Sequence, residues 1–315
     1  KATGSRAIGG TGHRKKGGNV LRQEPEVKYA FMEQNTGIFR LITMARVLQV
    51  SRSGFYAWRR RTASDPSERH QRCLDRDSLV LAAFIAGKGR SGSPRLALDL
   101  ADVGHVCGSK TVANSMIRQR LCAKVGRKFK VTTNSKHELP VAKNILKQNF
   151  SASGRNQKWV GDITYLWTQE GWLYLATVID LYSRMVVGWA MAERMTADLV
   201  GNALTMALWK CGMPTGVIVH SDRGSQYCSA LYQRLLTKHG LICSMSSTGN
   251  CYDNACAESF FHSLKVEAIH GERFETREKM RRVVFEYIEV DYNRTRRHSA
   301  NGQISPVAFE AKQVA

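Results

Sequence analysis

Residues 158–191 read KWVGDITYLWTQEGWLYLATVIDLYSRMVVGWAM. The run is rich in Val, Ile, Tyr, Trp and Thr and is interrupted twice by short polar stretches, which predicts three successive antiparallel strands over Lys158–Leu166, Trp172–Leu181 and Met185–Met191. Downstream the period changes. Thr196 stands where it can cap a helix whose Leu199, Val200, Ala203, Leu204, Ala207 and Leu208 share one side, with Gly212 and Pro214 to close it. A fourth strand is expected over Gly216–His220. A helix around Leu231–Lys238 comes next, with Gly240 as its stop, and then a fifth strand over Leu241–Met245. The loop Ser246–Asp253 leads into a long helix, Asn254–Ile269.

Three strands, helix, strand, helix, strand, helix is the element order of a ribonuclease H-like α/β core, a mixed five-stranded sheet with flanking helices. Within it three acids stand out. Asp162 interrupts the first strand, where a carboxylate among β-formers is costly unless charge or hydrogen bonds compensate it. Asp222 comes directly after the apolar run Val217–Val219, a strand-end position, with Gly224 letting the chain turn close to a ligand. Glu258 falls in the first turns of the long helix, where the positive helix end favours an anion. If the first and fourth strands are neighbours and that helix packs beside them, the three carboxylates converge. Three acids without a histidine form a hard, all-oxygen donor set suited to Mg²⁺ or Mn²⁺ rather than zinc. Two such ions can flank one phosphorus atom, so phosphodiester cleavage and re-joining proceed in line. Taken singly, each acid is explained as a turn cap, a helix-end charge or an ion pair. Asp180 in particular is expected to cap its turn or pair with Arg184, and Asp253 to cap the long helix.

The charge is unevenly spread. The 315 residues carry 47 Lys+Arg against 26 Asp+Glu, yet residues 159–315 hold 16 of each, so the whole surplus of 21 lies in residues 1–158. A basic half joined to a neutral one points to a polyanion-binding module attached to a module with another task. No apolar run is long enough to span a membrane, and residues 1–18, with six glycines, offer no signal peptide, so the expected location is the cytoplasm. Eight cysteines without a C-x-x-C read as core thiols.

In the basic half, residues 1–37 read as a flexible basic leader. Residues 38–130 read as an all-α helix-turn-helix DNA-binding region. Ile42, Ala45, Val47 and Leu48 give an apolar face, and Ser51 is placed to cap a second helix, Arg52–Arg61. That helix carries Arg52, Arg59, Arg60 and Arg61 beside Phe55, Tyr56 and Trp58, a layout that directs guanidinium groups toward phosphate or a groove. A plain helical hairpin would space its residues similarly. A further helical stretch covers Leu74–Ala86. Leu96 to Val103, together with a helix from Ser109 to about Leu121, make a second candidate helix-turn-helix. Lys128 lies in a basic connector suited to a phosphate backbone, or simply to solvent. Residues 131–155 read as a linker, 156–270 as the catalytic core and 271–315 as a C-terminal helical extension of the core.

Four strings of residues carry a resemblance. Trp159–Tyr165 (WVGDITY), His220–Tyr227 (HSDRGSQY), Gly249–Ala255 (GNCYDNA) leading to Glu258–Phe261, and Tyr292-Asn293 with Arg296-Arg297-His298 before Ser305-Pro306 resemble the integrase-type core of bacterial insertion-sequence transposases. The likeness is to the second-reading-frame product of the insertion sequence three family. Thirty-five residues separate Asp222 from Glu258, the spacing of the acidic triad in that family and in retroviral integrases. The resemblance implies that Asp162, Asp222 and Glu258 are the catalytic, metal-binding triad, holding two Mg²⁺ or Mn²⁺ ions. It implies that Lys265, two turns beyond Glu258 on the face shared with His262, contacts the terminal DNA. Arg223 and Asn250, within the matching strings, are candidate DNA contacts as well. The implied partners are double-stranded DNA (terminal inverted repeats and target), a second copy on paired ends, and a first-frame protein. A frameshift join is the implied source of the leader. A retroviral-type integrase is disfavoured because His70, His105, Cys107 and Cys122 lack zinc spacing. The rivals are a simple ribonuclease H and a catalytically silent DNA-binding regulator derived from a transposase.

Overall fold

In the computed structural model, residues 20, 23–64, 67–124, 140–247 and 254–314 are described. The chain divides into two compact units, one of residues 1–83 with 110–121 and the other of 84–109 with 122–315.

The first unit is helical. Helices α1 (Pro25–Gln34), α2 (Leu41–Leu48) and α3 (Arg52–Ala63) close on Met32, Met44, Ala45, Leu48 and Phe55. The α2–α3 turn passes through Gln49 in the left-handed region, and Ser51 caps α3 by accepting from the Gly54 N–H at 3.0 Å. Residues 25–34, which composition assigns to the leader, form α1 instead. Met32 is fully buried in the small core, and Tyr29 lies so close to Gly54 that a Cβ there would meet its hydroxyl at 2.2 Å. Helix α4 (Glu68–Ala86) and helix α6 (Ser109–Arg118) are joined in this unit by Asp77, which accepts from Ser115 and from Arg118 at 2.6 Å each.

The second unit is an α/β/α sandwich on a five-stranded sheet ordered β3-β2-β1-β4-β5. Strands β1 (Lys158–Thr168), β2 (Gly171–Asp180) and β3 (Val186–Ala192) form an antiparallel meander, while β4 (Ile218–Ser221) and β5 (Ile242–Met245) run parallel to β1. This is the mixed ribonuclease H-like sheet that the element order predicts. Because successive side chains alternate faces, Val160, Leu166, Leu175 and Val186 pack on one side against helix α10 (Ala255–Leu264) and helix α11 (Arg277–Glu286). Trp159, Val178, Val187 and Val219 pack on the other side against helix α7 (Ala197–Lys210) and helix α9 (Ala230–Lys238), which comes after the single turn α8 (Ser225–Cys228). The approach of α7 to β3 requires Gly188: a Cβ there would meet the Ala203 carbonyl at 2.2 Å and the Ala207 nitrogen at 2.7 Å.

Residues 84–109, including helix α5 (Ser93–Asp102), pack with this unit. Arg297 reaches Asp99 at 2.7 Å, and Arg95 reaches Glu267 at 3.4 Å. Helix α10 continues as a π-helical turn (Lys265–Ile269), and α11 continues as a π-helical segment (Tyr287–Thr295) before helix α12 (Pro306–Val314). The seven described cysteines are all free. Among the described residues no helix is long and apolar enough to cross a membrane.

Candidate active site

Sheet register brings two of the acids together. The parallel β1–β4 ladder ends at Val160↔His220, so Asp162 and Asp222 each stand two residues beyond the last paired position on neighbouring strands. This is the carboxyl end of a parallel pair, where open α/β sheets bind ligands. Val160 faces the α10 layer, so by alternation Asp162 does too. Helix α10 brings the third acid, with Ala257, Phe260, Phe261 and Leu264 buried against the sheet and Glu258 on its exposed side.

Electrostatics records the meeting. Burial pushes the Asp162 carboxyl well above the usual carboxylate range, and the charges of Asp222 and Glu258 push it the same way. The Ile163 N–H, which Asp162 Oδ1 accepts at 2.8 Å, and the Lys265 ammonium act against them. Asp222 Oδ1 accepts from the Gly224 N–H at 2.9 Å, closing a tight turn at the end of β4. Partial desolvation raises Glu258, and burial lowers Lys265, with Asp162 opposing that shift. Among the described residues no three acidic, His or Cys side chains close into a ready-made metal cage. The charges of Asp222 and Glu258 nevertheless both reach Asp162. An all-oxygen set that repels itself fits a hard divalent cation, whose charge removes the repulsion.

Two supports are invisible in sequence. Tyr227, buried under β1, places its ring 3.5 Å from where a Gly161 Cβ would sit, and its phenol is pushed well up by burial and by the charge of Asp162. It packs beneath β1 on the face of the sheet opposite Asp162. His220 is buried between two hydroxyls, with Nδ1 2.9 Å from Ser244 Oγ and Nε2 3.3 Å from Ser246 Oγ. Ser244 Oγ already accepts from the Ile145 and Leu146 N–H groups, so its own proton goes to Nδ1, and Nε2–H donates to Ser246. A neutral imidazole thereby ties the ends of β4 and β5 together beside Asp222. The HSDRG string is the signal for this residue, but its partners lie 24 and 26 positions away.

Asp180 is buried and occupied, accepting from the Asn156 N–H at 2.8 Å and the Tyr182 N–H at 2.7 Å, the turn cap expected of it. Arg223, half-buried, donates from Nε to the Ser246 carbonyl at 2.6 Å, and His262 is exposed. Asn250 and Lys128 lie outside the described residues. On α3, Arg52, Arg59, Arg60 and Arg61 are all exposed, and Arg59 pairs with Glu33 at 3.3 Å.

Family models described as integrase core domain match residues 152–251 and 258–314, covering the sheet and all three acids. Over 291 residues the chain is 57% identical to the transposase InsF for insertion sequence IS3A of Escherichia coli (strain K12), across 92% of this chain and 100% of that protein. The chain belongs to the IS3 family of insertion-sequence transposases. A second relative, the insertion element IS600 31 kDa protein of Shigella sonnei, is 47% identical over 85% of this chain and 98% of its own. Among solved structures, a chain of the simian T-cell lymphotropic virus intasome in complex with PP2A regulatory subunit B56 gamma aligns over 72% of this chain and 73% of its own, at 17% identity and a TM-score of 0.42. The HTLV-2 integrase catalytic core domain in complex with magnesium aligns over 50% and 97%, at 13% identity and a TM-score of 0.37. As an IS3-family transposase the chain is a polynucleotidyl transferase with an integrase core, and the three acids lie within that core.

Proposed function

We propose that this transposase binds the terminal inverted repeats of its element, cleaves their 3′ ends and transfers the freed 3′-hydroxyl to target DNA, with Asp162, Asp222 and Glu258 as the catalytic triad. The observation that carries this reading is the register that sets Asp162 and Asp222 each two residues beyond the last rung of the β1–β4 ladder, with α10, which bears Glu258, packed on the same side of the sheet. Two Mg²⁺ (or Mn²⁺) ions, when bound, would supply activation of the attacking oxygen and stabilisation of the leaving one. Asp162, Asp222 and Glu258 would hold these ions. Asp222 approaches from the strand side and Glu258 from the helix side. Lys265, within the field of Asp162, meets the phosphate of the terminal DNA, with His262 and Arg223 alongside. Helix α3 offers Arg52, Arg60 and Arg61 to the repeat, and Asn250 and Lys128 are further DNA contacts in this reading. The enzyme works in the cytoplasm as a homo-oligomer on paired ends, alongside the first-frame protein of the element.

The test is strand nicking. Labelled duplex carrying the terminal repeat and incubated with Mg²⁺ should be cut at the 3′ end by the wild-type chain and not by Asp222→Asn. Binding by both proteins with cutting by neither would establish a silent regulator. Preferential cutting of RNA–DNA hybrids would establish a ribonuclease H.

A further inference from the structure

The helix that presents Glu258 is gripped from behind. Glu267 lies nine residues beyond Glu258, in the π-helical turn that continues α10, and is only 7% exposed. Arg296 donates from Nε to both of its carboxylate oxygens at 3.0 Å and from Nη2 to Oε1 at 2.9 Å. Tyr287 Oη donates to Oε2 at 2.8 Å, and Arg95 approaches at 3.4 Å. The same Arg296 Nη2 donates to Ser263 Oγ at 2.9 Å, so one guanidinium spans the junction where α-helix becomes π-helix. The backbone carbonyl of Glu267, one of those a helix end leaves without an internal partner, accepts from Arg90 Nε at 3.0 Å and Lys124 Nζ at 3.4 Å.

Each feature bears on the helix's rotation. A π turn shifts the phase of the segment beyond it, and such turns are rare and frequent at functional sites. A buried ion pair is a poor source of stability compared with apolar packing, and its best-attested use is to fix register. Seven residues at about 100° each bring Lys265 back to the face of Glu258, and the π turn then carries Glu267 away from that face. Lys265 stands at the start of the π turn, seven residues beyond Glu258. A cavity of about 310 Å³ adjoins the pair, lined by Arg90, Arg95, Asp99, Arg296 and Arg297 among others.

We propose that Glu267 is a positioning residue: anchored by Arg296 and by Arg90 and Arg95 of residues 84–109, it sets the rotation at which Glu258 and Lys265 face Asp162. The inference rests on the reading that the three acids hold a divalent ion.

Calorimetric titration of the full chain with Mn²⁺ tests it, with circular dichroism as the fold control. Wild type is expected to bind at the triad, and Asp222→Asn to bind at least tenfold more weakly. Glu267→Gln keeps the shape and the Tyr287 acceptor but removes the charge that holds Arg296, and should weaken Mn²⁺ binding by about tenfold in a folded chain, as loss of a supporting partner does at other metal sites. A folded Glu267→Gln that binds Mn²⁺ like wild type overturns the proposal. If that variant fails to fold, Glu267→Gln combined with Arg296→Met removes both charges. Weakened binding in the folded double variant supports the proposal, and wild-type binding overturns it. Should Asp222→Asn bind as well as wild type, the triad reading itself falls, and this inference falls with it.

Discussion

Asn293 completes the edge of the sheet at Val186. Its Oδ1 accepts from the Val186 N–H and its Nδ2 donates to the Val186 carbonyl, both at 3.0 Å, the two bonds a further strand would make. Strand β3 is an edge strand, and an open edge is a template for unwanted pairing. Asn293→Ala would leave a buried N–H and a buried C=O without partners, which should lower the unfolding free energy by about 3 kcal/mol. Guanidinium denaturation measures it. A loss well under about 1 kcal/mol would mean that the clamp is dispensable.

The contact between β3 and α7 predicts a second, sharper effect. At Gly188 an added methyl would overlap backbone atoms of Ala203 and Ala207, neither of which is a flexible side-chain end. Gly188→Ala should therefore cost about 3 kcal/mol through overpacking, readable as a fall in the thermal midpoint. An unchanged midpoint would show that α7 can step away from the sheet at little cost.

His298 gives the stability a pH dependence of known sign. It is buried edge-on against Tyr292, and burial, with the nearby Arg296 charge second, pulls its imidazole down to about 4. In the unfolded chain the ring protonates near its ordinary value of about 6.5. As the pH falls from about 6.5 to 4, the unfolded chain takes up a proton that the folded chain refuses, and stability drops by up to about 3 kcal/mol. Above that window the residue contributes no slope. His298→Gln should flatten the wild-type fall across this window in urea titrations, and an identical slope in the two proteins would contradict the assignment.

Helix α3 separates two roles among similar residues. Arg60 is exposed, and Arg60→Ala should weaken binding to repeat DNA and reduce the slope of log affinity against log salt by about 0.9 for each phosphate the side chain neutralises. Arg59 is held on Glu33, so Arg59→Ala should change that slope less. Equal slope changes would return Arg59 to the DNA-facing set.

The five strands and their helices were legible because β-branched and aromatic runs contrast sharply with the spaced leucines and alanines of α7. Asp162 was legible because it is an anion inside such a run, and Asp222 because it ends one. Tyr227 was hidden because its placement depends on sheet register, not on local pattern. His220 was hidden because its two hydroxyl partners come from across the sheet. Glu267 carries no signal in sequence, since nothing in its neighbours' periodicity announces a π turn or an arginine 29 residues later. Helix α1 was missed for a different reason. The Gly-rich stretch before it sets the composition of the whole segment, while its single buried anchor, Met32, is too sparse to give a helical period.

The most direct measurement is cleavage of the backbone by the ion itself. Fe²⁺ substituted for Mg²⁺ in the presence of ascorbate and peroxide generates radicals that cut the chain next to the metal. Convergence of the acids predicts cuts clustered near residues 162, 222 and 258 together, all suppressed by excess Mg²⁺ and all lost in Asp222→Asn. Cuts confined to one of the three segments, or unaffected by that substitution, would contradict it.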